Sequence, residues 1–137
     1  MEESGVRYLS VTDVIAIHAF VMTQLGDAPR PLREEGSLES AVMRPRMAAY
    51  YENADLVRQA ALLAVGISQA QAFLDGNKRT AFASLRAFLG TNGLRFTGDP
   101  LQLAQRLEAV ASHRGNLDDA AHQFEAWLRP QVDPRGA

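Results

Sequence analysis

The residues best suited to chemistry gather in one stretch, Gln71 to Ala81, which reads Gln-Ala-Phe-Leu-Asp-Gly-Asn-Lys-Arg-Thr-Ala. Asp75, Gly76 and Asn77 do not continue a helix well, whereas Phe82, Leu85, Phe88 and Leu89 recur at three- and four-residue spacing, so the polar loop must run into a helix N-terminus. The first N–H groups of such a helix lack intrahelical partners and carry the positive end of the helix dipole. Lys78 and Arg79 add full charges, and phosphate is the natural ligand. Asp75 would repel a bare anion but suits a divalent cation that arrives with the phosphate. The stretch therefore reads as a metal-nucleotide site.

That site needs helices on both sides. A first helix opens at Ser10 with Asp13, a Ser-x-x-Asp capping pattern, and keeps Val14, Ile17, His18, Val21, Met22 and Leu25 on one face until Gly26. Residues 27–36 are rich in proline and charge and predict an exposed loop, small flap or hairpin. Ser37 can cap a second helix bearing Leu38, Ala41, Val42 and Met47, with Pro45 making its last turn irregular. Asn53 or Asp55 can cap a third, whose Leu56, Ala60, Leu63, Ala64, Ile67 and Ser68 suit the domain centre. The fourth runs from about Asn77 to the Asn92-Gly93 stop, and Leu94–Thr97 are at most briefly extended. Asp99-Pro100 starts a fifth helix that reaches about Ala111. After the His113-Arg114-Gly115 break, Asn116 or Asp118 opens a sixth with Leu117, Ala121, Phe124, Trp127 and Leu128 on one face. The expectation is an all-α bundle of about six helices, one domain over residues 1–137, with its core within 9–128 and a flexible tail over 130–137.

Composition narrows the partners. The chain has 137 residues, 47% of them hydrophobic, which supports one ordinary core and argues against disorder. With 14 basic and 16 acidic residues and a pI near 5.9, no global field draws it to nucleic acid or to an anionic membrane. The lack of cysteine removes disulfides and thiolate chemistry and suits a reducing cytoplasm. No leader pattern and no apolar run of membrane-spanning length is present, so a cytoplasmic location is expected.

The motif Asp75-Gly76-Asn77-Lys78-Arg79-Thr80-Ala81, preceded by Gly36-Ser37-Leu38-Glu39-Ser40-Ala41 with Arg44-Pro45 and followed by Phe88-Leu89 and Asn92-Gly93, resembles the Fic/Doc (Fido) family, and most of all its Doc, death-on-curing toxin branch. The resemblance covers most of the chain, from about Leu9 to Leu128. It implies the Fido fold and transfer of a phosphate-containing group from ATP, with Mg²⁺, to a hydroxyl of a protein. Fic relatives move AMP. Doc-type toxins move phosphate onto elongation factor Tu and are neutralised by a Phd-like antitoxin. By the same resemblance, Asp75 would be catalytic, holding Mg²⁺ and positioning the attacking hydroxyl, and Gly76, Asn77, Lys78 and Arg79 would receive phosphate. Phe73 would anchor the loop, and Arg30, Leu32 and Arg33 would belong to the flap that docks the target.

One position departs from the pattern. The family has a histidine where this chain has Gln71. An imidazole accepts and releases a proton near neutral pH, whereas a glutamine amide only hydrogen-bonds. Loss of a general base costs about 10²–10⁴-fold in rate, which leaves two readings. Either the chain is an impaired transferase, or it is a non-catalytic nucleotide- or antitoxin-binding module. The family's Ser/Thr-x-x-x-Glu-Gly/Asn inhibitory pattern is absent, since Pro31 and Ala48 stand before Glu35-Gly36 and Glu52-Asn53, so inhibition is expected from another chain. His18, His113 and His122 lack metal-ligand spacing and read as structural or exposed. Arg44, Arg46 and Arg86 either reach phosphate or cover helix surfaces, and Phe124 with Trp127 reads as core.

Overall fold

Ser10 and Asp13 cap each other reciprocally, with the Asp13 amide donating to Ser10 Oγ at 3.1 Å and the Ser10 amide donating to the Asp13 carboxylate at 2.8 Å. This starts α1 (Val11–Gln24) in a computed structural model that describes residues 5–29, 31–111 and 116–136. The helix buries Val14, His18 and Met22, while Leu25 beyond its end is exposed.

The second helix differs from its expected form. α2 (Glu35–Glu52) begins before Ser37, without a side-chain cap, and continues through Pro45 to Glu52. Ser37 instead donates its hydroxyl to Glu34 O at 3.0 Å, with Ala70 O at 3.3 Å as a second acceptor. A proline inside a helix removes one backbone bond, yet Pro45 is buried, so packing holds the helix together across it. Met47, expected on the inner face, is exposed.

Asn53 ends α2 in the left-handed conformation, and Asp55 caps α3 (Leu56–Ala70) by accepting the Arg58 amide. α3 is the centre of the molecule, with every residue from Gln59 to Ser68 buried. A Cβ at Gly66 would stand 3.2 Å from Ala41 Cβ, so α2 and α3 approach closely only because this residue is glycine. α4 (Asn77–Thr91) packs along the other side of α3, and α5 (Pro100–Ala111) and α6 (Leu117–Leu128) complete the bundle. Asn116 caps α6 through the Asp118 amide.

The expected flexible tail is partly ordered. After a 3₁₀ turn at Arg129–Gln131, β2 (Val132–Pro134) pairs antiparallel with β1 (Leu94–Phe96), in register Arg95 to Asp133. The reason is the free backbone edge that β1 presents, which the C-terminal residues satisfy. No second strand pairs within 27–36 among the described residues. Leu32 there makes one antiparallel bridge, to Phe73. Arg30 and His113 lie outside the described residues. No described helix is long and apolar enough to cross a membrane.

An ion network locks the N-terminal end of α3. Arg58 meets Glu52 at 3.0 Å and Glu125 at 2.9 Å, and Arg129 meets Asp55 and Glu125, both at 2.7 Å. The Arg129 hydrogen bond holds the Asp55 carboxyl below its usual range. Burial pushes Glu125 up, but hydrogen bonds from Arg129 and Arg58 outweigh it and hold Glu125 low as well.

Candidate phosphate-binding site

At the other end of α3 the chain reverses through Gln71, which adopts the left-handed conformation at φ 49° and ψ 44°. Helix ends leave carbonyls without partners, and here Arg33 and Glu34 before α2 and Ser37 in its first turn supply donors for three in succession. Ser37 Oγ lies within reach of Ala70 O, the Arg33 guanidinium donates to Gln71 O at 3.1 Å, and the Arg33 and Glu34 amides donate to Ala72 O at 2.6 and 3.2 Å. Together with the Leu32–Phe73 bridge, these bonds fix Leu32 and Arg33 against the loop.

The loop is also held from beneath. Phe73 is buried and stacks on His18, centroids 3.8 Å apart and planes at 4°. The same imidazole lies 2.9 Å from Asp75 O through Nε2. A carbonyl only accepts, so Nε2 carries the proton. The Asn77 side chain closes the loop by accepting the Phe73 amide at 3.0 Å and donating to Phe73 O at 2.9 Å. Gly76 has φ 80°, and a Cβ there would meet Met22 Sδ at 2.7 Å. The backbone angle favours glycine, and any side chain here would also have to displace the Met22 thioether.

These restraints leave a cleft of about 260 Å³ lined by Met22, Leu25, Asp75, Gly76, Asn77, Lys78 and Arg79. Thr80 donates the first intrahelical bond of α4, to Gly76 O, so the amides of Asn77, Lys78 and Arg79 have no acceptor within the helix. Arg79 is exposed and has no partner among the described residues, while Lys78 Nζ lies 3.4 Å from Glu108 Oε1. Asp75 accepts the Gly76 amide through Oδ1 at 2.8 Å, and its other oxygen has no protein donor among the described residues.

The five expected phosphate- and metal-handling residues, Asp75 to Arg79, thus share one cleft, whereas Gln71, on an exposed turn, and Leu32 and Arg33 of the expected flap stand outside its lining. Asn77 orients the loop through its side chain, a role the sequence did not predict. His18 was equally hidden as a loop support, although its place at four-residue spacing from Met22 on an apolar face was the available signal. Arg46 and Arg86 lie over the Tyr8 and Phe82 rings and cover helix surfaces. No group of three or more His, Cys, Asp or Glu able to hold a metal occurs among the described residues. A divalent cation here would depend on Asp75 and on oxygens that the ligand itself brings, which is how Mg²⁺ is commonly held beside phosphates.

An α-helical frame with a tightly restrained polar loop at the start of a core helix describes the class of this protein. A model of the Fic/DOC family matches residues 8–89, and the chain belongs to that family. It is 39% identical over 100 residues to Toxin Doc of Mycolicibacterium smegmatis, covering 70% of this chain and 77% of that one. It is 32% identical over 95 residues to Protein kinase doc of Escherichia phage P1, covering 69% and 75%.

Proposed function

We propose that the protein is a Doc-like toxin of a toxin–antitoxin system, with a Phd-like antitoxin as its partner. Its loop receives the phosphates of ATP for transfer of phosphate, or of AMP, to a hydroxyl of a protein such as elongation factor Tu. The observation that carries this reading is the cleft at the start of α4, where exposed Arg79, Lys78, three amides without helical acceptors and the Asp75 carboxylate converge. Asp75 would hold Mg²⁺, which, when bound, neutralises charge developing on phosphate oxygens. Lys78 and Arg79 orient the phosphates, and the restraints from His18 and Asn77 keep the loop in its binding shape.

Proton removal is the weak half. The Gln71 amide can orient a hydroxyl but cannot take its proton. His18 offers no replacement, since it is buried and bound to Asp75 O. His122, on α6, is bonded through Nδ1 to Asp118 O. These observations favour slow turnover and keep a second reading in play, a non-catalytic module that binds nucleotide or antitoxin. Labelled ATP, Mg²⁺ and elongation factor Tu, supplied to the protein and to its Gln71→His variant, separate the two. The variant should transfer label about 10²–10⁴ times faster. Silence of both proteins with ATP binding intact would leave the module.

A further inference from the structure

Arg44 and Arg58 are the two half-buried arginines among the described residues, and the fold treats them oppositely. Arg58 sits between two carboxylates. Arg44 makes no ion pair, hydrogen bond or ring contact with any described residue. Burial holds its guanidinium below the usual arginine range, and the Asp118 charge opposes this from beyond contact distance. A half-buried cation is incompletely hydrated, and with no partner among the described residues Arg44 is open to an anion from outside.

Arg44 lines an open cleft of about 290 Å³ between α2 and the end of α3, with Ser37, Ser40, Gln69 and Ala70 around it and the Gly66–Ala41 contact at its base. The carbonyls of Ala70, Gln71 and Ala72 would repel an anion if they were bare, but each has a donor. Ser40 has no hydrogen-bond partner among the described residues, and its hydroxyl is a second donor. We propose that this cleft is a carboxylate subsite that takes the acidic side chain of a partner polypeptide, with Arg44 as the principal donor.

Charge selects the ligand. A single guanidinium matches a single carboxylate in forked geometry, and the Asp118 charge disfavours a doubly charged phosphate. Met43 and Met47, neighbours of Arg44 on α2, are 42% and 48% exposed and give apolar contact to residues flanking the acid. This subsite is separate from the α4 loop and does not depend on the transferase reading.

The test is an NMR titration of the isotope-labelled full chain, read at Arg44 Nε–H and at the Ser37 and Ser40 amides. The probes are acetate, inorganic phosphate, acetyl-Ala-Glu-Ala-amide and acetyl-Leu-Glu-Leu-amide, at constant ionic strength. Acetate and both peptides should give saturable shifts, with the leucine peptide several-fold tighter and phosphate acting at Asn77–Arg79 instead. Arg44→Gln should weaken peptide binding at least about tenfold. Because it removes a charge without a partner among the described residues, it should leave the melting temperature level or raised. The proposal is overturned by shifts that persist in the variant, by absence of saturable shifts, by phosphate preference at Arg44, or by no gain from leucine. A fall in melting temperature matching that of Arg58→Gln would make Arg44 structural and overturn it as well.

Discussion

The two ends of α3 solve the same problem in different ways. At the N-terminal end, Asp55 caps the helix and also takes the Arg129 guanidinium, while Arg58 lies between Glu52 and Glu125. Charge there is matched within the chain. At the C-terminal end, serine, arginine and backbone donors satisfy the last carbonyls, and Asp75 and Arg79 are left without ion-pair partners among the described residues. One end is closed on itself. The other leaves Asp75 and Arg79 without ion-pair partners among the described residues, as the proposed binding role requires.

The loop's anchor carries the largest expected effect. Phe73→Ala removes a buried ring stacked on His18 and should cost about 3–5 kcal/mol, read as a lower denaturant midpoint, with loss of nucleotide binding. An unchanged midpoint would mean that the loop is not held by that ring.

At the opposite end, Glu125→Ala removes the carboxylate shared by Arg58 and Arg129 and should cost about 1–3 kcal/mol, the fully buried cost being discounted for partial solvent access. Nucleotide affinity should not change. The same end should govern acid sensitivity. Asp55 and Glu125 have depressed pKa values in the folded chain, so their contribution is fully present above the ordinary carboxylate pKa of about 4 and is lost as pH falls through their folded values. Glu125→Ala should flatten the loss of stability below about pH 4, and a slope identical to that of the wild type would remove the network from the explanation.

Arg79→Ala should have the smallest structural effect, within about 0.5 kcal/mol, because the side chain is exposed and holds nothing in place. Its effect on ATP should be larger, about tenfold in affinity by calorimetry.

Local signals were legible in the sequence and distant ones were not. Ser10 with Asp13, Asp55 and Asn116 cap their helices through bonds spanning two or three residues, and periodicity identified the buried Leu85, Phe88 and Leu89 of α4 but only part of α3, which is buried all round from Gln59 to Ser68. The start of α2 escaped because Glu34 has no capping side chain and the segment is held by bonds to Ala70, Gln71 and Ala72. β2 escaped because its partner is β1, remote in sequence. Within the site, the charged residues were evident from their types, but the contact of His18 with Asp75 joins residues 57 positions apart and carries no local trace.

The most direct measurement follows the amides of Asn77, Lys78 and Arg79 during titration with Mg²⁺ and ATP, in the protein and in Gln71→His. Saturable shifts centred on these amides, with affinities equal within about twofold in both proteins, are the expected result, since binding and proton removal occupy different residues. Shifts that centre on another surface, or that require the histidine, would contradict the account.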